Sequence, residues 1–212
     1  MDKVALGAMF DTEYEAFLEL ARTLTAEEWV TPSLCQEWTV GDVVLHLAYH
    51  THRDGLREKA PSMGKVTAKL VAREHAETRA GLLDWLSRPV PASARKDKGN
   101  VCELVIHSQD IRRAIRRPRE YPEPTLRLSL DTCATVLGTV FVVGRTHRVA
   151  KGLRVATTDI EWSHGSGPEV TGTAEAVLMA IAARPAALAD LRGEGVATMA
   201  SRLGVATPSV AD

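Results

Sequence analysis

Cysteine is scarce in this chain. Cys35, Cys102 and Cys133 are odd in number and widely spaced, and no Cys-x-x-Cys occurs. That excludes a disulfide framework and a paired-thiol redox motif and predicts reduced thiols in a cytoplasm. No run of 18 apolar residues occurs, so no segment reads as a membrane-spanning helix. The N-terminus carries Asp2, Asp11, Glu13 and Glu15 and lacks the basic-then-apolar layout of a signal peptide, so a cytoplasmic location is expected. Charge of one sign is also missing. With 26 Lys+Arg against 27 Asp+Glu the net charge is −1, and no global field recruits nucleic acid or a membrane surface. Aromatics make up only 5% of the residues, and none interleave with Arg112, Arg113, Arg116, Arg117 and Arg119 to stack bases. Those arginines read as a solvated helix end that complements the helix dipole, with docking of an anionic cofactor tail as the alternative. There is no internal repeat and no low-complexity tract.

What remains is the composition of an ordinary globular protein, 45% hydrophobic and 25% charged, long enough at 212 residues for one large domain or two small ones. Apolar residues Ala5, Phe10, Tyr14, Phe17, Leu18 and Ala21 predict a first helix over about Asp2 to Ala21, and Thr25 to Trp29 reads as a short capped turn. A second helix is expected after Thr39, because Thr39 and Asp42 have capping-box spacing, and to run through His46 to about Arg57. After a loop at Pro61 to Gly64, a third spans about Val66 to Leu86, with Leu70, Val71, Leu82, Leu83 and Trp85 as core residues. A fourth runs from an Asn100 cap to Arg116, where Pro118 and Pro122 stop it. A fifth, about Thr125 to Arg145, is apolar on one side. Trp29, Trp38, Trp85 and Trp162 read as packing anchors.

After His147 the period changes to two. Gly152 to Thr157 and Asp159 to His164 read as strands, and the Gly165-Ser166-Gly167 turn is expected to join the second to Glu169-Val170-Thr171 as a hairpin. Helices over Thr173 to Ala183 and about Val196 to Leu203 close the chain. The expected organisation is therefore mainly α: an antiparallel four-helix bundle with a connecting helix over residues 1–147, and a small C-terminal α+β domain over 148–212.

Chemistry-bearing residues concentrate in the fourth helix. Glu103 and His107 are four apart, so they share one face a turn apart. Taken alone, such a pair is usually a surface pair. A carboxylate and an imidazole so placed can also supply two ligands to one divalent cation. His46, mid-helix among large aliphatics, offers a third. His50 and His52 could replace it or support it, or be solvated histidines near a helix end. Asp110 could orient His107 through its other nitrogen, or be a plain surface carboxylate. Cys35 precedes its helix and reads as a small apolar filler rather than a ligand, and Cys102 points away from Glu103.

The segments Ser33-Leu34-Cys35-Gln36-Glu37-Trp38-Thr39-Val40-Gly41-Asp42-Val43-Val44-Leu45-His46-Leu47-Ala48 and Glu103-Leu104-Val105-Ile106-His107-Ser108-Gln109-Asp110 resemble the two signature stretches of the mycothiol-dependent maleylpyruvate isomerase family, within the DinB-like superfamily. The resemblance implies a four-helix bundle in which His46, Glu103 and His107 hold Zn²⁺, with mycothiol as cosubstrate. Less specifically, the C-terminal unit resembles that family's second domain, in which an arginine ending an apolar helix corresponds to Arg184. This arginine would meet a substrate carboxylate or simply close its helix.

Two imidazoles and a carboxylate leave an open zinc position, where a small thiol loses its proton and becomes a nucleophile. The expected function is isomerisation or S-transfer on a small electrophile by a monomer or homodimer, with neither nucleic acid nor membrane as partner. The alternatives are zinc-water hydrolysis of a thiol conjugate and a non-catalytic bundle that binds a small molecule.

Overall fold

The computed structural model describes residues 2–52, 79–134 and 146–208. The chain divides into two compact units, Met1–Arg119 and Glu120–Asp212.

In the first unit, α1 (Lys3–Thr23) starts at Asp2, whose carboxylate accepts from the Val4 and Ala5 amides at 2.9 and 2.8 Å. Its buried stripe includes Phe10, Tyr14, Phe17, Leu18 and Ala21 as the sequence predicts, but begins at Leu6, because Ala5 faces solvent. α2 (Ala26–Val30) begins at a capping box formed by Thr25 and Glu28. A second box opens α3 (Val40–His52): the Thr39 amide donates to Asp42 Oδ2 at 2.8 Å, and the Asp42 amide to Thr39 Oγ1 at 3.2 Å. α4 (Arg79–Leu86) is the described end of the expected third helix. Its earlier part with Leu70 and Val71, the loop at Pro61 and the stretch up to Arg57 lie outside the described residues.

A 3₁₀ turn, Ala94–Lys96, leads into α5 (Lys98–Ala114). This helix starts earlier than expected. The cap is Asp97, whose side chain accepts from the Gly99 amide at 2.8 Å, and Asn100 sits buried in the first turn instead. α1 packs on α4 and α5, and α3 packs on the same two, so the four close into a ring. Phe10, Phe17, Val43, Leu47, Leu86, Leu104 and Ile111 fill it and are at most 1% exposed. Each such side chain contributes about 1.5–3 kcal/mol of burial free energy. Of the arginines at the end of α5, Arg116 is exposed as expected, but Arg112, Arg117 and Arg119 are not part of a solvated face. Arg117 pairs with Glu28 at 2.8 Å, Arg119 pairs with the buried Glu13, and Arg112 donates to the Ala16 carbonyl at 3.4 Å. They tie the end of α5 to α1 and α2.

The second unit holds α6 (Glu123–Ala134), α7 (Thr146–Val149), β1 (Arg154–Thr157), β2 (Ser163–Gly165), β3 (Glu169–Gly172), α8 (Ala174–Ile181), a 3₁₀ turn at Pro185–Asp190 and α9 (Val196–Leu203). α8 is apolar nearly all round and is buried accordingly. α6 packs against it, Asp131 accepts from Trp162 Nε1 at 2.8 Å, and Arg127 donates to the Glu161 carbonyl at 2.8 Å. These contacts place α6 with the sheet, so the division falls at Arg119/Glu120 and not after His147 as expected. Of the expected fifth helix, the part beyond Ala134 lies outside the described residues.

One strand pairing differs from expectation. β1 pairs with β2 antiparallel and with β3 parallel, in the order β2-β1-β3, so β2 and β3 form no hairpin. The connecting turn crosses the start of β1. Gly167 has φ +120°, and a Cβ there would fall 2.3 Å from the Gly152 carbonyl oxygen, so only glycine allows the crossing. The chain is thus mainly α with a small α+β unit: nine α-helices and one three-stranded sheet among the described residues.

Candidate metal centre

Within the four-helix ring, α3 and α5 pack directly on one another. His46 projects from α3, and Glu103 and His107 project from α5 a turn apart. Nε2 of His46 lies 3.3 Å and Nε2 of His107 lies 3.1 Å from the same oxygen, Glu103 Oε2. The two imidazole rings are 4.6 Å apart between centroids, and all three residues are buried. A tetrahedral zinc with bonds of about 2.1 Å separates neighbouring ligand atoms by about 3.4 Å, close to both spacings. The donor types and the two spacings to Glu103 Oε2 fit a divalent cation.

His107 is oriented from its far side. Its Nδ1 is 2.9 Å from Oδ2 of Asp110, a residue with no exposed surface. Because a carboxylate only accepts, Nδ1 carries a hydrogen and Nε2 is turned toward Glu103. The reading of Asp110 as an orienting residue thus matches its contacts. Cys35 joins the same group: Sγ lies 2.9 Å from Asp110 Oδ2 and 3.4 Å from His107 Nδ1, and the residue is half-buried. It is not the apolar filler its position before the helix suggests. The reason is a reversal of the chain at residues 33–38. The Ser33 amide donates to the Trp38 carbonyl at 2.9 Å, the Leu34 amide to the Asp110 carbonyl at 3.4 Å, and Glu37 takes φ +68°. This folds the loop onto α5. It also sets Trp38 beside the site, its ring 5.2 Å from that of His46 and 6.5 Å from that of His107.

Electrostatics follow from burial and contact. Burial lowers the His46 imidazole to about 4 against the pull of Glu103, leaving it neutral at pH 7 as a ligand must be. Burial by itself would raise the Glu103 carboxyl. The neighbouring His50 and hydrogen bonds from His107 and His46 outweigh it and hold Glu103 well below the usual carboxylate range. Burial likewise opposes charge on His107, but Cys35, Asp110 and Glu103 around the ring raise it well above an ordinary histidine. The His46 and His107 protons that face Glu103 are those a cation would displace.

The remaining histidines of α3 divide. His50 faces the site: its ring is 5.3 Å from that of His46, and donor atoms of His46, His50 and Glu103 all lie within 4.8 Å of one another. His52 turns to the other side, where Nε2 lies 3.1 Å from the Arg88 carbonyl and 3.4 Å from the Tyr14 hydroxyl. Cys102 is buried, and Arg184 belongs to the second unit. There Arg184 donates to the Ala182 carbonyl at 2.6 Å, a contact that closes α8. The sequence pattern missed Cys35 and Trp38 as site neighbours. The only local sign was their place in one signature stretch with His46.

The first unit is thus a helical ring carrying a buried histidine–glutamate–histidine cluster, with Asp110 on the far side of His107. Residues 10–139, more than half of the chain and including all three cluster residues, match the family model described as the mycothiol maleylpyruvate isomerase N-terminal domain. The chain belongs to that family. No curated protein and no solved structure matches it.

Proposed function

We propose that the protein is a zinc-dependent enzyme that uses a low-molecular-weight thiol, mycothiol by family, to isomerise or S-transfer onto a small electrophile. The observation that carries this reading is the convergence of His46 Nε2 and His107 Nε2 on one buried oxygen of Glu103. His46, Glu103 and His107 would hold the ion. When bound, it stabilises thiolate over thiol and so provides a nucleophile at neutral pH.

The chain's own residues do the rest. Asp110 fixes the His107 ring through Nδ1, and Cys35 closes the outer side of that carboxylate. Trp38 walls the two imidazoles and limits access of water, which strengthens charge interactions inside. A thiolate held there adds to an activated double bond, the new single bond rotates, and expulsion of the thiolate returns the isomer. If the carbanion left by addition is instead protonated by water, the carbon–sulfur bond persists and the outcome is S-transfer.

The test is to incubate zinc-loaded protein with mycothiol and a panel of unsaturated dicarboxylates and alkylating electrophiles and to identify products by mass. A geometric isomer or a thiol adduct that requires both zinc and thiol is the expected result. Loss of electrophile or thiol conjugate to water, with no isomer and no adduct, would overturn it in favour of zinc-water hydrolysis.

A further inference from the structure

The histidine one turn beyond His46 is bound on one nitrogen only. His50 Nδ1 lies 3.1 Å from Oδ1 of the buried Asn100, whose Nδ2 donates to the Ala94 carbonyl at 2.9 Å. That second bond fixes the amide: were Asn100 turned over, its oxygen would face a carbonyl oxygen. Asn100 Oδ1 is therefore the acceptor, and His50 Nδ1 must donate. For the neutral ring this leaves Nε2 as a bare lone pair. Nε2 is shut off from solvent and has no hydrogen-bond partner among the described residues. A buried acceptor in that condition is destabilising unless something satisfies it.

What lies within reach is the cation site. Donor atoms of His46, His50 and Glu103 are mutually within 4.8 Å. A tetrahedral ion with bonds of about 2.1 Å holds its ligand atoms about 3.4 Å apart, so closure onto one ion needs a movement of at most about 1.4 Å, within the reach of a side-chain rotation. His46 and Glu103 also contact His107 or share its partner oxygen, so the two groupings have a common pair.

We propose that His50 is a fourth protein ligand to the cation, oriented by Asn100, giving a centre of three imidazoles and one carboxylate. This rests on the metal-binding reading above. Zinc accepts a fifth neighbour, so an entering thiol still finds a place. Asn100 serves His50 as Asp110 serves His107, and each imidazole is turned toward the ion by the hydrogen bond on its other nitrogen.

The test uses the full chain, stripped of metal and titrated with Zn²⁺ against a chromophoric chelator, with X-ray absorption on the zinc-loaded form. His50→Ala and the more conservative His50→Gln are compared with wild type, with far-UV circular dichroism reporting the fold. The expected result is a loss of zinc affinity of about tenfold or more and one imidazole fewer around zinc in the folded variants. Unchanged affinity with an unchanged imidazole count would overturn the assignment of His50 alone. A wild-type protein that takes up no zinc would overturn the proposed function together with it.

Discussion

A carboxylate and two imidazoles buried against one another are costly groups to remove from water, and the contacts around them show what offsets the cost. Each nitrogen of His107 faces a carboxylate, Glu103 on one side and Asp110 on the other. Replacing Asp110 by Asn should weaken zinc binding about 10–100-fold while the ligand count by X-ray absorption stays the same. A variant that binds as tightly as wild type would remove Asp110 from the account. Cys35 gives a sharper contrast, because Cys35, His107 and Asp110 form a second grouping that could hold an ion. With the ion on the Nε2 side of His107, Cys35→Ala should keep full zinc occupancy; loss of zinc would put the metal on the other side. Glu103 and His107 were legible from helical spacing, and His46 from its signature stretch. Cys35 was not, because its approach depends on a turn with Glu37 at φ +68°, which no local pattern announces.

Among the elements, capping was the most readable feature. The Thr39/Asp42 box starts α3 where its spacing says it should, and that start sets the rotation that turns His46 inward. The cap of α5 was misread because Asp97 and Asn100 are both good caps, and burial of Asn100 decided between them. Period two marked β1 and β3, but β2 forms at Ser163–Gly165 and not over Asp159 to His164, and strand partners could not be read, since pairing depends on where the Gly167 crossing sends β3. Close approach of elements makes a further prediction. A Cβ on Gly41 in α3 would sit 2.3 Å from Trp29 Nε1. Gly41→Ala should therefore cost about 1–3 kcal/mol in urea unfolding, despite the better helix propensity of alanine. A variant at least as stable as wild type would show that α2 yields freely.

At the scale of the whole molecule, each unit has its own buried core, and the family match spans the three cluster residues. The mainly α composition was legible from periodicity. The division at Arg119/Glu120 was not, because the affinity of α6 for α8 is a tertiary fact that its own sequence does not carry. An ion gripped from two helices stabilises the folded state by mass action, so Zn²⁺ at about 100 times its Kd should add about 2.7 kcal/mol to the unfolding free energy. The same addition should leave His107→Ala unmoved in a thermal melt, and an equal upward shift in both proteins would point to a different site.

The most direct measurement is the zinc content of the folded chain after dialysis against Zn²⁺ and then against metal-free buffer, set beside that of Glu103→Ala. About one zinc per chain is expected in the wild type and essentially none in the variant, with both giving the same helical circular dichroism. Equal zinc in the two proteins, or none in either, would contradict it.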